Sequence, residues 1–252
     1  TALGVKLFDR DKHKFALTPS GQFLVERARE ILNMVEKTTL DIQEQEHNLA
    51  GSIAMGAGEY QATEVLAKLI GGFQKQYAAV SFELFTSSAD LLQDKLDKGL
   101  LDVAILQAPV DTTNYDYLRL PIRETWCVLM RSDAPLASKN AITASDLSGL
   151  PIILPARLQA RSEIFNWLSG DITKMRFIGN SNLLANTAVF VEQCGYYGIS
   201  VQMPLLDEKR FTYRPLTPAL HSDILLVWRR DRQQSLALQK FLQFAKCFLS
   251  IE

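Results

Sequence analysis

Cysteine, histidine and long apolar runs are all scarce in this chain of 252 residues. The three cysteines, Cys127, Cys194 and Cys247, lie far apart and lack C-x-x-C spacing, which argues against a zinc site and is typical of reduced thiols in a cytoplasm. No apolar run reaches the ~18 residues of a membrane span. A secretory signal is also missing, although a chain that begins as if cut gives this absence little weight. We therefore predict a cytoplasmic protein with no metal and no membrane partner.

The few histidines limit the enzymatic chemistry that the chain could support. Beyond residue 50 the sequence has only His221, which lies in a predicted turn at Leu220–Asp223. Neither a G-x-S-x-G elbow, a phosphate-binding P-loop nor a G-x-G-x-x-G turn is present. We expect no enzymatic activity, no catalytic residue and no cofactor. A cytoplasmic α/β enzyme that depends on His221 is the alternative, and sequence alone does not exclude a pair of catalytic carboxylates.

A local excess of positive charge marks the N-terminal segment of a chain whose net charge is only −1. Between residues 6 and 14, four cationic side chains stand against two acidic ones, and apolar residues flank this stretch on both sides. Such a succession of strand, charged tip and strand predicts a β-hairpin. Arg10, Lys12 and Lys14 are the candidates for contact with nucleic-acid phosphates, and an ordinary solvated turn is the alternative, chiefly for the lysines.

A long amphipathic helix is predicted directly after the hairpin. Thr18 suits the N-cap and Pro19 the first helical position, and the helical pattern continues to about Asn48. Its apolar positions recur at steps of four and three, which is the spacing of a heptad seam. The seam consists of Leu24, Ala28, Ile31, Val35 and Ile42. One helix cannot bury such a stripe alone, so we predict pairing with a second subunit; packing on its own downstream domain is the alternative.

From residue 51 onward, short apolar strands alternate with amphipathic helices. A β-α-β-α-β succession covers residues 53–106, and a polar loop is expected around Tyr115 and Tyr117. A second set has strands near 125–130, 152–154, 175–178, 199–201 and 224–228, and a helix at Ser235–Phe248 closes the chain. The predicted fold class is α/β with two lobes and a cleft between them. Lobe I takes residues of about 51–122 and 229–252, and lobe II takes about 123–228.

Four motifs in this order resemble those of LysR-type transcriptional regulators. They are Leu3–Arg10, Leu17–Gly21, Gly99–Ile105, and Asp133–Ala137 followed by Asp146-Leu147. The resemblance implies a winged helix-turn-helix, a linker helix, and a two-lobed effector domain like that of periplasmic binding proteins. It places most of the helix-turn-helix before Thr1, so residues 1–18 would be the end of the recognition helix and the wing, 19–49 the linker, and 51–252 the effector-binding domain.

The resemblance also implies a function and partners. The chain would belong to a DNA-binding transcription regulator that contacts DNA through the full-length protein, binds a small-molecule effector between its lobes, and forms a homodimer or homotetramer. Base-specific contacts would come from the helix that precedes Thr1. A solute-binding protein of a transporter, which shares the two-lobed fold, is the alternative.

An effector site is expected where the carboxyl ends of the strands meet the cleft. The candidates are Glu59, Tyr60, Gln61, Ser87, Ser88, Gln107, Pro155, Arg157 and Asn182. Helix N-termini beside Ser88 and Asn182, together with Arg157, favour a carboxylate ligand. Glu59 favours an amine or an ion pair with Arg157, so both ligand charges stay open. The family's usual G-x-G turn is replaced by Gly195–Gly198, and its usual Ser or Thr is shifted to Ser87-Ser88. The effector class of the family is therefore not carried over.

Overall fold

The computed structural model describes residues 4–11, 14–43, 49–203 and 205–250. At the N-terminal end, strands β1 (Phe8–Asp11) and β2 (Lys14–Leu17) form the predicted antiparallel hairpin, with Phe8 opposite Leu17. Lys12 lies outside the described residues, whereas Arg10 and Lys14 fall within the two strands. The hairpin thus has the form that the sequence predicts, and its contact with phosphates stays a prediction.

Helix α1 (Pro19–Gln43) begins at the predicted cap. The Thr18 hydroxyl accepts a hydrogen bond from the Gly21 N–H at 3.0 Å and donates one to the Lys6 carbonyl oxygen at 2.7 Å, which ties the helix to the hairpin. A Cβ at Gly21 would lie 2.0 Å from the Leu7 carbonyl oxygen, so only glycine permits this close approach. The predicted end near Asn48 lies outside the described residues.

The seam of α1 is largely uncovered in the single chain. Leu24, Ile31 and Val35 are 38%, 62% and 57% exposed, and Ala28 is half-buried. The side chain of Ile42 lies outside the described part. The helix therefore does not bury this stripe on its own downstream domain, because most of its apolar surface faces solvent.

Lobe I is a mixed five-stranded sheet with helices on both faces. Its strand order is β4-β3-β5-β12-β6, in which β3 runs parallel to β4 and β5 while β12 runs antiparallel to β5 and β6. Its elements are β3 (Gly51–Ala57), α2 (Thr63–Gln74), β4 (Val80–Thr86), α3 (Ala89–Lys98), β5 (Val103–Gln107), β6 (Tyr115–Thr125), β12 (His221–Arg229) and α6 (Leu236–Leu249). Phe73 of α2 and Phe241 of α6, both fully buried, pack edge to face in its core. The predicted β-α-β-α-β succession is present.

Lobe II is a second five-stranded sheet with the order β11-β7-β10-β8-β9. Its elements are β7 (Cys127–Arg131), β8 (Pro151–Pro155), α4 (Leu158–Leu168), β9 (Arg176–Ser181), α5 (Leu184–Cys194), β10 (Tyr197–Ser200) and β11 (Phe211–Pro215). Strand β8 is parallel to β9 and β10, so the carboxyl ends of all three strands lie at one edge. This edge faces the equivalent edge of lobe I.

Two features differ from the sequence-based expectation. The segment around Tyr115 and Tyr117 is the eleven-residue strand β6 rather than a loop, because an edge strand keeps polar residues on its open face. Strand β12 pairs within the sheet of lobe I, so the second crossing between lobes falls before His221 and not at residue 228. The apolar run from Ile224 to Trp228 predicts a buried strand but not the lobe to which that strand belongs. Only its pairing with other strands assigns it to lobe I.

The two crossings between the lobes run side by side. The Trp126 N–H donates to the Leu220 carbonyl oxygen at 2.9 Å, and the Leu216 N–H donates to the Trp126 carbonyl oxygen at 3.0 Å. The Trp126 indole N–H also donates to the Ser222 hydroxyl at 2.9 Å. These bonds define a paired hinge, residues 125–126 and 216–222. Across the described ranges, no helix combines the length and apolar character needed to cross a membrane.

Candidate functional site: the cleft between the lobes

A cavity of about 100 Å³ lies between the facing carboxyl edges of the two sheets. Eight of the nine predicted effector residues line it. They are Glu59, Tyr60, Ser87, Ser88, Gln107, Pro155, Arg157 and Asn182. The position of the site therefore agrees with the rule that ligands of open α/β sheets bind beyond the strand ends.

Gln61 does not line the cavity; it lies two residues before α2, beside Glu124. The Glu124 carboxylate accepts hydrogen bonds from the backbone N–H groups of Gln61 and Ala62, the latter at 2.9 Å. Glu124 is only 1% exposed, and this burial raises its pKa. The Gln61 backbone thus serves to anchor α2 to the end of β6.

The guanidinium of Arg157 ties lobe II to lobe I. Its Nε lies 3.2 Å from Asp90 Oδ1 at the start of α3, and its Nη1 donates to the Gln107 carbonyl oxygen at 2.6 Å. Nη2 donates to the Pro109 carbonyl oxygen. The Arg157 side chain is 9% exposed. Arg157 therefore forms an ion pair with Asp90 across the cleft mouth, and not the ion pair with Glu59 that the sequence left open.

Glu59 makes a second contact between the lobes, in which a side chain of lobe I reaches lobe II. Its Oε2 accepts a hydrogen bond from the Ala185 N–H at 3.0 Å, so a carboxylate of lobe I caps the first turn of α5 in lobe II. Glu59 and Arg157 thus bond to different partners instead of pairing with each other. Together the two contacts hold the lobes close.

Tyr60, Ser87 and Ser88 form the lobe I side of the cavity. Burial raises the pKa of Tyr60 to about 12, despite the opposing field of Arg157, so its phenol stays protonated and can donate. Ser87 is buried, and its N–H donates to the Ala57 carbonyl oxygen at 3.2 Å. Ser88 occupies the N-cap position of α3, but its side chain makes no capping hydrogen bond. Its hydroxyl therefore stays available to a ligand.

Asn182 does not cap α5 as its position suggested. Leu183 occupies the N-cap position of that helix, and the side-chain cap comes from Glu59 instead. Asn182 remains in the cavity wall beside Ser181. Its side chain is a candidate for ligand contact rather than for helix capping.

Sequence reasoning missed several residues of the cavity wall, of which Trp126, Thr187 and Ser200 carry polar groups. Ser200 is the last residue of β10, at the carboxyl edge of lobe II. Its Oγ is shielded from solvent and has no hydrogen-bond partner among the described residues, and the same holds for Gln107 Nε2. A polar residue that ends an apolar strand is the signal that could have identified Ser200.

A larger cavity of about 470 Å³ lies between α1 and lobe I. Its wall includes Arg29 and Met34 of α1, Glu83 and Phe85 of β4, and Lys95 of α3. Residues 99–101 and Ser52 place it near the amino ends of β5 and β3, away from the edge where such sheets bind ligands. Within the described residues, no group of three or more His, Cys, Asp or Glu side chains is arranged to hold a metal.

Two α/β lobes joined by a paired hinge, with a polar cavity between them, define a two-lobed ligand-binding domain. The family model of the LysR substrate binding domain matches residues 46–250, and the chain therefore belongs to the LysR family. As such it is a transcriptional regulator with a C-terminal effector-binding domain, and a transporter's solute-binding protein is not favoured.

Relatives of known name agree with this assignment. The Hca operon transcriptional activator HcaR of Escherichia coli (strain K12) is 30% identical over 247 residues, which cover 95% of this chain and 82% of HcaR. Full-length CbnR complexed with its target DNA matches 98% of this chain and 85% of its own, with a TM-score of 0.73 at 13% identity. The effector binding domain of QuiR in complex with shikimate matches 81% of this chain and 99% of its own, with a TM-score of 0.70 at 16% identity. The curated relatives are transcriptional regulators rather than enzymes.

Proposed function

We propose that this regulator senses a small carboxylate in the cleft between its lobes and passes the signal through α1 to a DNA-binding head. The observation that carries the proposal is the polar cavity at the facing carboxyl edges, with contacts across it from both lobes. The bound shikimate of QuiR, whose effector domain has the same fold, supports a ligand at a domain of this kind.

A carboxylate suits the electrostatics of this cleft. Helix α3 presents its N-terminus to the cavity, and the Ser88 side chain leaves that terminus uncapped. The Glu59 carboxylate is already engaged with the α5 N-terminus, so it is less free to attract an amine. Both observations favour an anionic ligand.

Lobe closure is the proposed means of transmission. A ligand shifts the balance between two arrangements only if it binds one of them better. The ties of Arg157 and Glu59 form only when the lobes are close, so a ligand that fits the closed cleft favours the arrangement with both ties in place. The change then reaches the paired heads through the linker helix α1.

DNA contact and self-association complete the proposal. Arg10, Lys12 and Lys14 of the hairpin contact phosphates, as the target DNA bound to full-length CbnR suggests for a chain of this fold. The seam of α1, formed by Leu24, Ala28, Ile31, Val35 and Ile42, pairs copies of the chain into a homodimer or a homotetramer. The protein acts in the cytoplasm and is not an enzyme.

A thermal-shift screen of metabolites, followed by calorimetry, tests the effector site. A ligand at 100 times its dissociation constant should stabilise the fold by about 2.7 kcal/mol. Ser88→Ala and Arg157→Ala should weaken its binding while leaving the fold intact, whereas Ser138→Ala, on an exposed turn of lobe II, should not. Unchanged affinity in both variants removes both residues from the site. Conversion of the compound during incubation, followed by mass spectrometry, would instead favour an enzyme.

A further inference from the structure

Two buried polar atoms in the cleft have no partner among the described residues. Gln107 is 7% exposed, and its Nε2 makes no hydrogen bond; the Ser200 hydroxyl oxygen is likewise shielded and unpaired. An unpaired buried donor costs free energy, so such groups are rare in folded proteins unless they have a function. Each of these atoms therefore calls for a partner that comes from outside the chain.

The two residues belong to different lobes but to one cavity. Gln107 ends β5 in lobe I, Ser200 ends β10 in lobe II, and both line the cavity of about 100 Å³. A ligand that satisfies both atoms must touch both lobes at once. Such a ligand would act as a bridge in addition to the protein's own ties.

Arg157 is not available to bind the ligand when the cleft is closed. All three of its guanidinium nitrogens are engaged with lobe I acceptors: Asp90 and the carbonyl oxygens of Gln107 and Pro109. The backbone of Gln107 is thus held by Arg157, while its side-chain amide is left free to meet a ligand. The positive charge that the sequence suggested for ligand binding serves lobe closure instead.

We propose that Gln107 Nε2 and Ser200 Oγ together hold one carboxylate group of the effector, each donating a hydrogen bond from its own lobe. An amide N–H only donates, and a hydroxyl can donate, so the shared partner has to be an acceptor with two lone-pair directions, as a carboxylate is. The N-terminus of α3 at the same cavity adds a preference for negative charge. This inference deepens the proposed function and rests on it.

The cavity also limits the size of the ligand. A volume of about 100 Å³ is well below the ~300–1,000 Å³ of pockets that hold drug-sized ligands. With the ties of Arg157 and Glu59 in place, the buried ligand is a short-chain monocarboxylate of about two to four carbon atoms. A larger acid would have to break those ties.

Binding of short carboxylic acids to the whole chain tests the roles proposed for Gln107 and Ser200. The probes are acetate, propionate, lactate and pyruvate, with propylamine as a cationic match to propionate; ligand-observed NMR and thermal shift give the affinity. We expect the acids to bind and propylamine not to bind. Gln107→Met, which keeps the side-chain length without the donor, and Ser200→Ala should each weaken acid binding about tenfold or more. The matched controls Gln76→Met and Ser138→Ala, at exposed sites away from the cleft, should have no effect.

The double variant tests whether one group meets both donors. If it does, the two losses of binding affinity are coupled. The second substitution then weakens binding less in the background of the first than it does alone. Losses that multiply independently would overturn a shared carboxylate, as would equal binding of propylamine. Strong binding of a larger metabolite that is insensitive to both substitutions would overturn this inference but leave the proposed function standing. Failure of every acid and every metabolite to bind would overturn both this inference and the proposed function.

Discussion

Gly99 shows how one residue fixes the end of a helix beside the sensor's core. It ends α3 in the left-handed region, with φ at +73°, and its N–H donates to the Leu96 carbonyl oxygen at 3.0 Å. The Arg232 guanidinium covers it and donates to the Asp97 carbonyl oxygen at 2.6 Å. A Cβ on Gly99 would lie 1.6 Å from Arg232 Nη1. The backbone conformation therefore favours glycine strongly, and a Cβ would in addition displace the end of the Arg232 side chain.

Gly99→Ala should lower the free energy of unfolding by about 1–2 kcal/mol, because alanine is strained in the left-handed region and displaces Arg232. Gly71→Ala is the matched control, since Gly71 lies inside α2 with open space around it. That substitution should raise the free energy of unfolding by up to about 1 kcal/mol. Urea denaturation measures both changes. A loss at Gly71 as large as that at Gly99 would contradict the explanation.

Single residues of the cleft were predictable in part. Position along the strands was enough to place Glu59, Ser88, Gln107 and Asn182 at the cavity, because strand ends share one edge of a sheet. The partners of Glu59 and Arg157 were not predictable, since each bonds across the cleft and the sequence does not give the separation of the lobes. Ser200 was missed because the predicted strand at 199–201 places it inside the strand, whereas β10 ends at this residue.

At the scale of elements, the exposed stripe of α1 is the feature that needs a partner. Ile31 and Val35 lie one turn apart on it, and both expose more than half of their surface. Large apolar side chains exposed in a row along a helix mark an interaction surface. The heptad spacing favours another copy of the same helix.

The variant Ile31→Asp with Val35→Asp should abolish self-association, because paired helices would bury four carboxylates at their seam. Light scattering at micromolar concentration should show the parent chain as a dimer or larger and the variant as a monomer. Gln22→Asp with Asn33→Asp adds the same charge on the other side of α1 and should leave the assembly unchanged. A parent chain that is monomeric, or a seam variant that associates normally, would refute the pairing.

Elements with regular apolar spacing could be predicted from the sequence, whereas the edge strand β6 could not. The helices α2, α3 and α6 and the buried strands β3, β5 and β8 follow from apolar spacing alone. The sequence predicts a loop in place of strand β6, since Tyr117, Arg119 and Pro121, which are exposed, interrupt the apolar pattern. Proline and arginine on an edge strand are a defence against pairing with other chains, and they also hide the strand from pattern analysis.

At the scale of the whole molecule, the predicted phosphate contacts should govern DNA binding. Phosphate contacts hold a protein on DNA without reading its sequence, so we expect the hairpin of this polypeptide to bind duplex DNA weakly and without site preference. Each phosphate contact contributes about 0.9 to the slope of log K against log salt. Removing one cation of the hairpin should therefore flatten that slope by a predictable amount.

Arg10→Ala should reduce the magnitude of the salt slope by about 0.9 for each protomer that contacts DNA, because one phosphate contact is lost. Fluorescence anisotropy with a labelled duplex over a salt series gives the slope. Lys68→Ala, at an exposed position of α2, removes the same charge from lobe I and should leave the slope unchanged. Tight, sequence-selective binding by the parent chain would contradict binding through phosphate contacts alone.

The doubled connection between the lobes sets the kind of movement that a ligand can cause. Because the two connecting segments are cross-linked by the bonds of Trp126, neither can swivel without the other. We therefore expect the lobes to move by bending about this hinge rather than by sliding or twisting past each other. Effectors of different size should then cause one kind of movement, bending about this hinge, and differ in how far the cleft closes around them.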